Sequence, residues 1–165
     1  MPRQPQNLLS STCHPADASC TRVALAQEAL QRFGQLRFRA LGSSMLPAIA
    51  PGDLLVFRTA AAAELAPGQV VLVRRDAALV AHRLVSCNGD NLITMGDSLS
   101  VADTPVHASQ LLGVLDAQLR GARALPRPGG HHRRLLPRTT RWLLRHAPLA
   151  RRIACRWPRL TAIAA

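Results

Sequence analysis

From Leu36 to Leu119 the apolar positions fall in short blocks broken by turn-forming residues, the texture of strands rather than helices. Leu36–Leu41 alternates apolar residues with arginine, the period of a half-buried strand. Asp53–Thr59 and Gln69–Arg75 are compact Val/Leu runs, each introduced by a Pro-Gly turn, Pro51-Gly52 and Pro67-Gly68. Ala78–Cys87 leads into Asn88-Gly89-Asp90-Asn91, a hairpin signal, and then into Leu92–Met95. Gln110–Leu119 completes a set of six predicted strands. Ahead of them, Ser19–Phe33 carries Val23, Ala26, Leu30 and Phe33 at helical spacing, with Ser19 or Thr21 as cap and Gly34 as stop. Behind them, Gly121–Arg134 is rich in Pro, Gly and Arg, and helical spacing resumes from Thr140 to Trp157 with a break at Pro148.

These elements predict a mostly β fold with flanking helices, built around a small, coiled, antiparallel β-domain. The expected organisation is a loose arm over 1–18, an N-terminal helix plus β-domain over 19–119, a linker over 120–139 and a basic amphipathic helix over 140–165.

Charge sharpens that division. The net charge is +12, yet residues 1–119 hold as many arginines as acids, and residues 120–165 hold twelve arginines and no acid. A neutral domain with a cationic tail is expected to meet an anionic surface through the tail. Trp142, Leu143, Leu144, Leu149, Ile153 and Trp157 among those arginines suit a helix lying in the plane of an anionic membrane, or one docked on its own domain. The tail has no recognisable nucleic-acid motif. Cys13, Cys20, Cys87 and Cys155 form no CxxC pair and no zinc spacing, His131-His132 reads as linker, and neither a cofactor nor a metal is expected. No apolar run approaches the roughly 18 residues that span a bilayer, and residues 1–20 lack the apolar core of an export signal. The expected location is cytoplasmic, with peripheral membrane contact through the tail.

The chain has no lysine, so all 21 of its basic residues other than histidine are arginine. A nucleophilic serine needs a base, and the usual ones are His and Lys; here any serine chemistry has to run through histidine. Ser44, in Gly42-Ser43-Ser44-Met45-Leu46-Pro47, sits on an expected tight bend where its hydroxyl and its own N–H are both presented, as a nucleophile beside an oxyanion donor requires. His82 lies in Leu79–Val85, where alternation puts it on one face with Val80 and Leu84. Asp97 and Asp103, in the loop after Leu92–Met95, are the two candidates for orienting that histidine.

In order, Gly-x-Ser-Met-x-Pro, Gly52-Asp53, a Gly-x-Val-Val strand, His82-Arg83, then Gly96-Asp97 with Asp103 six residues on, closely resemble the type I signal peptidases. The similarity is to their endoplasmic-reticulum and sporulation branch, in which His replaces a general-base lysine. It covers Leu36–Leu119. It implies a LexA-like fold, Ser44 as nucleophile, His82 as base, Asp103 as the third triad member and Asp97 as a structural acid. Gly42, Ser43, Met45 and Pro47 would help shape the oxyanion site and substrate groove, and cleavage of a peptide or precursor after small residues would follow. This chain has Gly42 where the family usually has a serine, and with no long apolar run the family's membrane anchor is not expected.

Two other classes remain open on sequence. A LexA- or phage-repressor-type self-cleaving regulator shares the fold, but those proteins use a Ser-Lys dyad. A non-catalytic module could act on membrane or RNA through the arginine-rich tail.

Overall fold

The structure, a computed structural model, describes residues 15–128, with the backbone alone for 15–19. The expected basic helix over 140–165, His131-His132 and residues 1–14 of the expected arm lie outside the described residues. One helix, α1 (Pro15–Phe33), precedes eight strands: β1 (Gln35–Arg39), β2 (Leu54–Arg58), β3 (Val70–Arg75), β4 (Ala78–Asn88), β5 (Asn91–Met95), β6 (Val106–His107), β7 (Leu111–Arg120) and β8 (Arg123–Leu125). The fold is mostly β, as the blocks of apolar residues predict. The strands form one curled antiparallel sheet in the order β1-β2-β7-β3-β4-β5-β6, with β8 paired to β7.

Three two-residue turns close hairpins within this order. Arg75 pairs with Ala78, Asn88 with Asn91, and Arg120 with Arg123. Each turn begins with a residue at positive φ, namely Asp76 (49°), Gly89 (57°) and Gly121 (62°), as tight hairpins of right-twisted strands demand. The last of these corrects the expected linker: residues 120–125 are the end of β7, a turn and β8. Their Pro and Arg content resembles a linker, but Gly121 supplies the reversal and the short β8 pairs from Gln118 to Arg120.

The helix also starts earlier than its expected cap, at Pro15, a residue suited to the first helical position because its missing N–H has no partner there anyway. At the other end Gly34 takes φ 67° and its N–H donates to the Leu30 carbonyl at 2.9 Å, a left-handed cap. Val23, Ala26 and Leu30 are buried as their spacing implies, whereas Phe33 is 75% exposed. The chain leaves the helix at Phe33 and turns straight into β1, so that ring never comes down on the sheet.

Period-two alternation gives the sheet two apolar faces. Leu30 of α1, Met45, Ile49, Leu55, Phe57, Val70, Leu72 and Leu115 form one core. The Phe38 and Phe57 rings stack across β1 and β2 with centroids 5.3 Å apart. Val71, Val73, Leu84, Leu92, Val106 and Val114 form the other core, covered in part by Ala60–Leu65. Gly113 has no room for a side chain, since a Cβ there would lie 2.3 Å from the Arg58 carbonyl oxygen. Among the described residues no helix is long and apolar enough to cross a membrane.

Candidate active site

The bend after β1 is held from below. Gly52, at φ 92°, donates its N–H to the Ala40 carbonyl at 2.7 Å, and Asp53 Oδ2 accepts the Ala50 N–H at 2.9 Å. Asp53, 2% exposed, also accepts from Gln118 Nε2 (2.7 Å) and from Arg120 Nε and Nη2 (2.8 Å each). Burial alone would raise this carboxyl's pKa. The hydrogen bonds from Arg120, the Ala50 N–H and Gln118, with the charge of Arg120, outweigh it and hold Asp53 below its ordinary range. Hydrogen bonding to Asp53 raises Arg120 in turn. The first Gly-Asp pair thus fixes the foundation of the bend that carries Ser44.

The second Gly-Asp pair fixes the bend from above. Ser98 gives both its N–H and its hydroxyl to the Ser44 carbonyl, each at 2.9 Å, and its hydroxyl also lies 3.2 Å from the Ser43 carbonyl. Gly96 packs so closely that a Cβ on it would sit 2.8 Å from the same Ser44 oxygen. Asp97 is engaged elsewhere. Its two carboxylate oxygens take Arg83 Nε and Nη2 at 2.7 Å each, in a pair that is 3% and 2% exposed. Arg83 spends Nη1 on the carbonyls of Gly68 (2.6 Å) and Pro128 (2.7 Å). A buried charge pair needs such full satisfaction to offset its desolvation.

His82 and Arg83 are consecutive on β4 and so face opposite sides of the sheet. While Arg83 meets Asp97, the other face brings His82 Nε2 to 2.9 Å from Ser44 Oγ and His82 Nδ1 to 2.6 Å from Asp103 Oδ2. Asp103 is itself positioned twice by Thr94: its N–H donates to the Thr94 carbonyl at 2.8 Å, and Thr94 Oγ1 donates to Oδ2 at 2.6 Å. Arg75 donates to the carbonyl of Thr104, the next residue. Ser44, His82 and Asp103 therefore lie in one hydrogen-bonded line, and Asp97 is not part of it.

The line opens on a groove of about 950 Å³ between α1 and the sheet. Gly42, Ser44, Met45 and His82 line it together with Val23, Ala26, Phe38, Leu41, Leu55 and Leu79. Two of the expected groove residues do not. Pro47 is exposed on the outside of the bend, because Leu46 before it turns inward to 1% exposure, and Ser43 is drawn to Ser98 and, through its carbonyl, to the Leu46 N–H.

Sequence reasoning passed over Thr94, Ser98 and Arg75. Thr94 had one visible signal, a hydroxyl residue in a strand of Leu, Ile and Met, and it is fully buried. The described residues hold no group of three or more His, Cys, Asp or Glu placed to bind a metal. No protein-family model matches the chain, and no curated protein does.

Proposed function

We propose that the chain is a serine endopeptidase of the type I signal-peptidase kind, acting through Ser44, His82 and Asp103. The observation that carries the reading is the continuous contact Ser44 Oγ–His82 Nε2–Asp103 Oδ2 at 2.9 and 2.6 Å, set at the wall of an apolar groove. In this reading His82 holds its proton on Nδ1, where Asp103 accepts it, leaving Nε2 free to take the Ser44 proton. Ser44 Oγ attacks the scissile carbonyl, and the new oxyanion is stabilised by the Ser44 backbone N–H, with Gly42 contributing no side-chain donor. His82 then passes its proton to the leaving amine. Water, deprotonated by the same nitrogen, releases the acyl group and restores Ser44.

The preference for small residues at the cut comes from the family resemblance. The groove, walled by Met45, Ile49 and Leu55 near Ser44, supplies apolar surface for residues beside it. Contact of residues 140–165 with an anionic membrane belongs to the same proposal and is tested by flotation with vesicles containing phosphatidylglycerol. The central test is digestion of a random peptide library by the full chain, with products identified by mass spectrometry. Cleavage after small residues by the wild type and none by Ser44→Ala is expected. Equal product patterns from both proteins would overturn the proposal.

A further inference from the structure

The groove has a charge pattern that its apolar lining conceals. Among its lining residues the permanently charged ones are Arg22, from α1, and Arg39, from the end of β1, and no acid lines it. Arg39 keeps one N–H on the Gly52 carbonyl at 3.0 Å, which leaves most of its guanidinium donors uncommitted by that bond.

The acids of the chain are largely engaged elsewhere. Glu28 pairs with Arg32, Asp53 with Arg120, Asp97 with Arg83, Asp103 with His82 and Asp116 with Arg127. Asp76 lies in the turn beside the lining residue Ala77 yet does not line the groove. The spacing of five from Asp17 to Arg22 is not one at which helical residues are neighbours. Residues 1–14 and 129–165 contain no Asp or Glu at all, so no side chain from them can neutralise these arginines. The same composition makes the arginine-rich tail a poor occupant, because it would add cations to cations.

We infer that the groove selects an apolar peptide segment bearing an acidic side chain, and that Arg22 and Arg39 are its specificity-determining residues. This deepens the peptidase reading, since it takes the groove to be the substrate site of that reading. Apolar residues would bind to Ala26, Leu36, Phe38 and Leu79, while a carboxylate at the rim would accept charge-assisted hydrogen bonds from the guanidinium groups. A basic side chain in the same place would be repelled. Both arginines sit toward solvent, so the selectivity is that of partly screened pairs, roughly three- to tenfold.

The test separates binding from cleavage. Two labelled peptides of Ala and Leu, differing only by Glu against Gln at one internal position, are titrated into the full-length Ser44→Ala protein and followed by fluorescence anisotropy. The expected result is a three- to tenfold tighter Kd for the Glu peptide, falling with salt and larger than the preference that remains in Arg22→Gln/Arg39→Gln. The cationic tail is present in every variant, so its general attraction for acidic peptides cancels. Arg22→Glu, an exposed helical substitution that needs no repacking, leaves Arg39 as the only groove cation and sets a negative charge against it, so it should reduce the preference as far as the double substitution does. Equal Kd values for the two peptides would overturn the inference, as would a Glu preference that the double substitution leaves unchanged. Groove occupancy by an anionic lipid without any acidic-peptide preference would overturn it too. An acidic-peptide preference in a wild-type protein that cleaves neither peptide would uphold the inference and sink the peptidase reading instead.

Discussion

Replacing Gly96 by alanine probes the proposed nucleophile from a residue that does not line the groove. The added Cβ would lie 2.8 Å from the Ser44 carbonyl oxygen and 3.0 Å from Cγ and Cδ1 of Leu99, where ordinary contact begins at 3.4 Å. The Leu99 side chain can rotate away. The Ser44 carbonyl cannot do so freely, because Ser98 holds it with two hydrogen bonds of 2.9 Å. About 0.6 Å of movement therefore falls on the Ser44 backbone or on the Gly96–Ser98 turn, at a stability cost of about 1–3 kcal/mol for overpacking. Misplacement of a reacting group by about 1 Å costs on the order of a hundredfold in rate, so a loss of about 10- to 100-fold in kcat/KM is expected. Leu99→Ala added to Gly96→Ala removes the side-chain clash alone, and the double variant should remain slow. The assay is cleavage of a quenched peptide substrate, with thermal melting on the same samples. A folded Gly96→Ala protein with wild-type kcat/KM would refute the idea that this close approach sets Ser44.

Other substitutions test the site more directly. Ser44→Ala and His82→Ala should each abolish peptide cleavage without lowering the melting temperature greatly, and the double variant should be no slower than either, since members of one catalytic unit are not additive. Asp103→Asn should reduce kcat by about 10⁴ by favouring the wrong imidazole tautomer; Asp97→Asn should instead destabilise the fold by about 3–5 kcal/mol, because Arg83 is left as a buried charge without its counter-charge, and urea melts paired with cleavage assays would expose the reverse pattern. Asp53, whose pKa is lowered in the fold, stabilises fully above its unfolded value of about 3.9. That contribution disappears as the pH falls through the lower folded value. Urea midpoints measured across that acid range should fall more steeply for the wild type than for Asp53→Asn, and parallel curves would contradict the assignment.

Local signals carried most of the fold. The Val/Leu blocks and Pro-Gly turns mark β2 and β3 because period-two alternation and positive-φ glycines are properties of neighbouring residues. Gly121 carried the same kind of signal, but the arginines and prolines around it resembled a linker, and β8 is recognisable only once β7 lies beside it. The two Gly-Asp pairs and His82-Arg83 were visible as spacing; the separate roles of Asp97 and Asp103 came only through the family resemblance, and Arg83 as the partner of Asp97 was not foreseen. That Asp97 belongs to Arg83 and Asp103 to His82 depends on which face of β4 each side chain occupies and on where the 96–103 loop returns. Thr94 and Ser98 could not be given partners from the sequence for the same reason, those partners being nine and 54 residues away.

The adjacency of His82 and Arg83 ties the proposed catalysis to correct strand alignment. A one-residue slip of β4 would exchange the two faces. A guanidinium that cannot be deprotonated in a protein would then sit beside Ser44, and an imidazole would be left to answer Asp97, Gly68 and Pro128. Neither place tolerates the exchange, so a misaligned molecule would lose its internal counter-charge and its proposed base at the same moment. The arginine thus serves as a registration mark for the histidine, and under the proposed mechanism the fraction of molecules able to react should equal the fraction correctly folded.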